Sequence, residues 1–255
     1  LSPKIHNHWL EREGIASNAY QKINVKKENF IEDVDRLIKE GYSGLNVTVP
    51  LKEVAYNYCD NASDVAQALK AVNTLIVNKG VVYGENTDPI GFQKSIADRN
   101  LKNQSCLVLG AGGSARAVVY ALNQMKCKIG IFNRTIEKAE ALCSDLGVES
   151  IILTETSLNE FIGSASLVVN TTSLGQKHNE QNNLIDFNNL KSSAHVYDLI
   201  YNPRKTAFLK NAERNGCTVQ NGLEMLINQA AHSFNMWHNK MPVIDEELMH
   251  VMGVK

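Results

Sequence analysis

An unbroken apolar run, Cys106-Leu107-Val108-Leu109, leads straight into Gly110-Ala111-Gly112-Gly113-Ser114-Ala115. Such a junction reads as a buried parallel strand turning sharply into a helix. Gly110 permits the tight turn and Gly112 lets the backbone approach a bound pyrophosphate. Ala115 takes the third small position, where helix packs on strand. Backbone N–H groups at the helix start, around Ala111, Gly113 and Ser114, then face the phosphates with the helix dipole behind them. A bare G-x-G-x-x-A string is a weak signal, because a glycine turn can bind nothing. Here a second apolar run, Ile129-Gly130-Ile131-Phe132, completes a strand–helix–strand unit and makes dinucleotide binding the reading.

The end of that second strand selects the cofactor. An NAD site places a carboxylate there to bond the ribose 2′-hydroxyl. This chain has Asn133-Arg134-Thr135 instead, with Lys138 one turn on. Arg134 can pair with a 2′-phosphate, Asn133 and Thr135 can donate hydrogen bonds to it, and Lys138 adds charge. The expected cofactor is therefore NADP.

Further apolar runs at Leu167-Val168-Val169 and Val196-Tyr197-Asp198-Leu199 extend the strand and helix alternation. The fold class is α/β, with residues 88–221 forming a Rossmann-type doubly wound parallel sheet. The polar stretch from Gly175 to Asn189 reads as a mobile loop. Residues 1–87, joined by 222–255, form a separate N-terminal α/β domain for the substrate. A helix is expected over Ile5–Arg12, a strand over Tyr20–Val25 and a strand over Leu45–Val49 ending at Pro50. Phe30, Ile31, Val34, Leu37 and Ile38 mark one face of a helix that stops at Gly41. Asn78-Lys79-Gly80 is a hairpin signal between Thr74–Val77 and Val81–Tyr83. Leu223, Leu226, Ile227, Ala230, Ala231, Phe234 and Trp237 mark a long C-terminal helix, with a short one over Ile244–Met252.

Composition excludes several classes. Net charge is -1, which argues against a nucleic-acid or membrane-binding surface. Five cysteines without a C-x-x-C pair fit a reducing cytoplasm rather than a disulfide framework. No apolar run approaches a membrane span, and no signal-peptide pattern is present. His6 and His8 lack the further ligands of a metal site, so no metal is expected. The chain opens mid-phrase at Leu1-Ser2-Pro3, and residues are expected before it.

Several ordered motifs carry a resemblance over nearly the whole chain. They are Asn46-Val47-Thr48-Val49-Pro50-Leu51-Lys52-Glu53, Ala71-Val72-Asn73-Thr74-Leu75 and Asn86-Thr87-Asp88 ahead of the glycines. Asn170-Thr171-Thr172-Ser173, Tyr197-Asp198-Leu199-Ile200-Tyr201 and Gly222-Leu223-Glu224-Met225-Leu226, leading to Gln229-Ala230-Ala231-His232, follow them. Together they resemble the shikimate dehydrogenase family. The resemblance implies reversible reduction of 3-dehydroshikimate to shikimate by NADPH. It implies that Lys52 and Asp88 are the catalytic pair and that Ser2, Thr48, Asn73, Asp88, Tyr201 and Gln229 hold the substrate. Arg134 and its neighbours match the 2′-phosphate clamp, and Thr171, Gly222 and Met225 fall with the cofactor. A homodimer is the expected assembly.

Chemistry supports those roles independently. Hydride addition to a ketone builds negative charge on oxygen, which needs a cation or a proton donor beside it. Lys52 follows a strand and a turn, and Asp88 can orient it while accepting a bond from a ring hydroxyl. Proton transfer and oxyanion stabilisation by Lys52 both stay open. Taken singly, each residue has a plain structural reading, such as a solvated Lys52, a capping Asp88 or a packing Tyr201. The ordered set favours function.

Two departures stand out. The family's N-terminal strand and G-x-P-I-x-H-S stretch are absent, and Pro89 replaces the usual glycine after the aspartate. Three rival readings remain. One is a quinate/shikimate dehydrogenase with relaxed cofactor use. Another is a non-catalytic NADP-binding protein. The third is a glutamyl-tRNA reductase, which would need a nucleophilic cysteine and an RNA-binding surface. The active site is expected where the two domains face each other.

Overall fold

The computed structural model describes residues 1–15, 19–175 and 185–253. The chain forms two compact units, Leu1–Gly91 with Leu226–Lys255, and Phe92–Met225. The unit limits fall inside two helices, whereas the sequence reading placed them at the flanking turns, 87/88 and 221/222.

In the first unit, α1 (Ser2–Arg12) starts with Pro3 in its first turn and buries Ile5, His6, Trp9 and Leu10. Tyr20–Val25 forms no strand, contrary to expectation. The Asn7 side chain takes the Tyr20 N–H (2.9 Å) and donates to the Tyr20 carbonyl (3.0 Å), so the Tyr20 backbone bonds a side chain instead of a ladder. Helix α2 (Phe30–Lys39) buries Phe30, Val34 and Leu37, a spacing of four and three. Ile31, read from sequence as part of that face, is 58% exposed. Strand β1 (Gly44–Asn46) is shorter than the expected Leu45–Val49. Val47 N–H still reaches the Asn73 carbonyl (2.8 Å), but Leu51 N–H turns back to the Thr48 carbonyl (2.9 Å) and leaves Thr48 and Val49 exposed.

Helix α3 (Lys52–Tyr58), strand β2 (Asn61–Ala62) and helix α4 (Asp64–Leu69) follow, the last capped by Ser63. Strands β3 (Thr74–Asn78) and β4 (Val81–Glu85) form the expected hairpin. Its corner residues, Lys79 (φ 50) and Gly80 (φ 82), are both left-handed, as the tight primed turn requires. The sheet order is β1-β3-β4-β2, and α5 (Asp88–Ser95) leaves it.

The second unit holds β5 (Ser105–Leu109), α6 (Gly113–Gln124), β6 (Lys128–Phe132), α7 (Ile136–Leu146), β7 (Ile151–Leu153), α8 (Glu155–Ile162), β8 (Ala165–Asn170), β9 (His195–Asp198), α9 (Ala207–Arg214) and β10 (Thr218–Asn221). All its strand pairs are parallel, in the order β10-β9-β8-β5-β6-β7. The order reverses between β5 and β8, which makes this a doubly wound Rossmann-like sheet with its switch point at the end of β5. Side chains alternate between two buried faces. Cys106 and Val108 pack with Val118, Ile131 and Tyr197, while Leu107 and Leu109 pack with Leu158, Phe187 and Phe208. The stretch expected as a mobile loop lies outside the described residues at 176–184. Beyond it Ile185 and Phe187 are buried, and a 3-10 turn spans Phe187–Asn189.

Helix α10 (Leu223–His238) buries Leu223, Ile227, Ala230, Ala231 and Phe234. Within the first unit, Trp237 Nε1 donates to the Leu75 carbonyl at 3.0 Å, and a Cβ at Gly44 would lie 2.3 Å from that nitrogen. Helix α11 (Glu246–Val251) is capped by Asp245. His6 sits in an aromatic box, stacked on Tyr20 at 4.2 Å and packed against Trp9, Phe234 and Trp237. It is 1% exposed, and neither ring nitrogen has a hydrogen-bond partner among the described residues. Burial, with a smaller contribution from His238, pushes its pKa down to about 3.

Candidate active site

In the first unit, Lys52 opens α3 and Asp88 opens α5. A carboxylate in the first turn of a helix is favoured by the unpaired N–H groups there. Lys52 Nζ and Asp88 Oδ2 are 2.5 Å apart, with side chains 23% and 15% exposed. The pair is thus shielded but reachable. Asn73, buried at the start of β3, donates from Nδ2 to Asp88 Oδ1 at 2.9 Å. Its Oδ1 accepts the Thr87 N–H at 2.9 Å, which fixes which end of the carboxamide faces the carboxylate. Asn86 holds the turn before Asp88: its Oδ1 accepts the Asp88 N–H (3.1 Å) and its Nδ2 donates to the Ala71 carbonyl (2.8 Å). Gln229, on α10, accepts from Thr87 Oγ1 at 3.3 Å and donates to the Leu226 carbonyl at 2.8 Å.

Lys52, Asp88, Asn73 and Gln229 are therefore one connected cluster. Ser2, in the first turn of α1, and Thr48, exposed after β1, are not joined to it by any hydrogen bond among the described residues. Tyr201 belongs to the other unit and is 39% exposed.

In the second unit, Gly110 ends β5 at φ +111, and its N–H donates to the Phe132 carbonyl at 2.8 Å. A Cβ there would lie 2.6 Å from Thr171 Oγ1, which itself donates to the Leu109 carbonyl at 2.7 Å. Only glycine fits that turn. Gly112 caps α6 with no side-chain bond, and a Cβ built on Gly112 or Gly113 meets open space. The first-turn N–H groups of α6, with Gly113 and Ser114 exposed, are left for an anion. Ala115 is fully buried against the strand side, and Ala111 packs on the same core.

A cavity of about 360 Å³ opens beside this helix start, lined by Ser114, Thr171 to Ser173 and Leu199 to Asn202. The sequence reading named Ser114, Thr171 and Tyr201 on its wall but gave Thr172, Ser173, Leu199, Ile200 and Asn202 no role. Position just past the ends of β8 and β9 was the available signal. Asp198, also missed, is fully buried and accepts from Thr206 Oγ1 (2.6 Å), Ile200 N–H (3.1 Å) and Asn170 Nδ2 (3.1 Å). It ties the two lining loops together. Burial raises its carboxyl pKa to about 6, against the three donors that favour the charge.

After β6, Asn133 Nδ2 donates to the Thr135 carbonyl at 2.7 Å and shapes the turn into α7. Thr135 is the N-cap of α7 and makes no side-chain cap bond. Arg134 and Lys138 are exposed, and Arg134 makes no ion pair among the described residues. No carboxylate occupies the strand end. These groups suit a dinucleotide with a 2′-phosphate. For Gly222 the structure supplies a packing reason: a Cβ would lie 2.1 Å from the Leu199 carbonyl oxygen. Met225 packs on the core of the same unit. His8, Asp245 and Glu247 bring potential metal ligands within 4.8 Å, yet Asp245 is already ion-paired with Arg12, so a cation there would displace an existing charge.

Known proteins match this arrangement along the chain. A family model described as the shikimate dehydrogenase substrate binding domain matches residues 1–75. A shikimate / quinate 5-dehydrogenase model matches 92–213, and a shikimate 5′-dehydrogenase C-terminal domain matches 222–246. The NADP(+) shikimate dehydrogenase of Brucella ovis is 38% identical over 99% of this chain and 89% of its own length. Among solved structures, the shikimate dehydrogenase of Aquifex aeolicus has a TM-score of 0.89 at 32% identity, covering 100% of this chain and 92% of its own. The Thermus thermophilus shikimate 5-dehydrogenase, solved with NADP(H) and shikimate, has a TM-score of 0.88 at 30% identity, covering 100% of this chain and 94% of its own.

Proposed function

The chain belongs to the shikimate dehydrogenase family, and from that premise we propose that Lys52 and Asp88 carry its chemistry. The chain is an NADP-dependent oxidoreductase acting on a CH–OH group, and its reaction is the reversible reduction of 3-dehydroshikimate to shikimate. The observation that carries the residue assignment is the shielded ion pair with Asn73 held on its carboxylate.

Lys52 has three N–H donors, of which Asp88 takes one. The others can meet the ring oxygen on which charge develops. Asp88 keeps Lys52 aimed and has lone pairs left for a neighbouring ring hydroxyl. Gln229 and Asn73 supply further polar groups from the same cluster. Ser2, Thr48 and Tyr201 complete the proposed substrate set. When bound, the reduced nicotinamide supplies the hydride. The Gly110–Ala115 turn holds its pyrophosphate, and Thr171 and Met225 line the rest. Gly222 serves by letting β10 pass close over Leu199. Asn133, Arg134, Thr135 and Lys138 hold the 2′-phosphate.

The direct test is a spectrophotometric assay of shikimate oxidation with NADP, run beside quinate and NAD. Absence of NADP reduction with shikimate would overturn the reading. Arg134→Ala gives a sharper test of the clamp. A lost charge-assisted pair should lower kcat/KM for NADP by about ten- to a hundredfold. The value for NAD should hardly move. An equal loss with both cofactors would remove Arg134 from the 2′-phosphate. The reading also includes a cytoplasmic homodimer, checked by sedimentation velocity and cell fractionation. No helix among the described residues is long and apolar enough to cross a membrane.

A further inference from the structure

Behind Asn73 stands a buried column of hydroxyls. Thr74 on β3 and Ser233 on α10 are both fully buried, and their oxygens lie 2.8 Å apart. Thr74 Oγ1 donates to Asn73 Oδ1 at 2.9 Å. Asn46 Nδ2 donates towards Thr74 Oγ1 (3.2 Å) and Ser233 Oγ (3.1 Å), while Asn46 Oδ1 accepts from Tyr20 (2.8 Å).

A hydroxyl has one proton to give. Thr74 uses its proton on Asn73, so Ser233 must be the donor in the contact between them. Asn46 faces both oxygens with N–H groups and cannot relieve Ser233 of that task. Ser233 has two competing acceptors, the Gln229 carbonyl on its own helix at 3.1 Å and, further off, Thr87 Oγ1 at 3.3 Å. Turning there would draw the Thr74 proton back to Ser233 and strip it from Asn73. The 2.8 Å contact is common to both arrangements, and of the bonds that differ the one from Thr74 to Asn73 (2.9 Å) is shorter than the one from Ser233 to Gln229 (3.1 Å), which favours the arrangement that serves Asn73.

We propose that Ser233 is a positioning residue for the Lys52–Asp88 pair. By donating to Thr74 it polarises the Thr74 hydroxyl and strengthens its bond to Asn73 Oδ1, and so, together with Thr87, holds the Asn73 carboxamide with its N–H on Asp88. The proposal rests on the reading that this pair does the chemistry. Asp88 is faced by the Lys52 ammonium from α3 and by the Asn73 amide from β3. Loosening the amide removes one of the donors that hold the charged carboxylate in place.

Ser233→Ala and Thr74→Val test this. Each should lower kcat for shikimate oxidation by about three- to tenfold, the worth of one hydrogen bond. Each should leave KM for NADP unchanged. Thr74→Ser keeps the hydroxyl and should restore kcat. The double variant should be no slower than the slower single variant, since both act through one proton. An unchanged kcat in Ser233→Ala, or losses that multiply in the double variant, would overturn the proposal. A wild-type protein that fails to oxidise shikimate, or a fully active Lys52→Ala, would instead overturn the reading beneath it.

Discussion

Replacing Lys52 with Ala should cut turnover by about a hundred- to ten-thousandfold, the range over which a positioned proton donor acts. The affinity for NADP, measured by fluorescence titration, should stay within error. The physical reason lies in what Asp88 faces. With the ammonium gone, the carboxylate 15% exposed beside Asn73 would have no cation opposite the developing oxyanion. Two negative oxygens would then approach each other in a shielded site. Lys52→Arg restores the charge but not the compact geometry, because a planar guanidinium cannot take the place of an ammonium held by one carboxylate oxygen. Its activity should stay well below that of the wild type. A solvent isotope effect on kcat distinguishes an ammonium that gives up its proton from one that only neutralises charge. Near-normal turnover in Lys52→Ala would end the assignment.

The second large effect concerns stability against acid. His6 is neutral in the folded protein, with its pKa near 3 against 6.5 in the open chain. Above pH 6.5 neither state binds the proton and His6 costs nothing. As pH falls from 6.5 towards 3 the unfolded chain takes up a proton that the folded chain refuses, so stability drops. The full window corresponds to roughly 4–5 kcal/mol. Asp198 works in the opposite direction between its ordinary carboxyl value and about 6, because there the folded state holds the extra proton. The measurable quantity is therefore the difference between wild type and His6→Phe. Phe keeps the stacking on Tyr20 and removes the titration. Any overpacking adds a constant offset. The difference in unfolding free energy, from urea melts at several pH values, should grow in favour of Phe below pH 6.5. A difference curve flat in pH would show that His6 takes up its proton in the folded state as readily as in the unfolded chain.

How much of this could be read in the sequence varied with how local each signal was. The parallel sheet was legible because its inner strands, such as Cys106–Leu109 and Leu167–Val169, are buried on both faces and read as continuous apolar runs. Edge strand β7 is an apolar Ile-Ile-Leu run too, but it is three residues long with Ile151 54% exposed, and it was not read as a strand. Tyr20–Val25 has strand composition, yet a strand exists only where a neighbour offers its ladder, and Asn7 bonds Tyr20 instead. In the candidate site, Lys52, Asp88 and Asn73 stood out through their motifs, and the structure brings them together. Asp198 sat inside a motif but was given no role, and Ser233 lay outside the motifs. A buried carboxylate inside an apolar strand and a serine inside a packed helix look like breaks in a pattern until their partners, far along the chain, are seen.

One feature of the chain path bears on how the protein is made. Helices α10 and α11 belong to the first unit but follow the whole of Phe92–Met225. Trp9 needs the Val243 carbonyl, and Leu75 needs Trp237. A ribosome adding about 5–20 residues per second leaves those partners unsynthesised for on the order of ten seconds after Gly91 emerges. The nucleotide-type sheet can close while the N-terminal segment still waits. The nascent chain therefore finishes its middle before its beginning. Emergence of α10, rather than completion of Leu1–Gly91, is the event that lets the Lys52 cluster acquire Gln229 and Ser233.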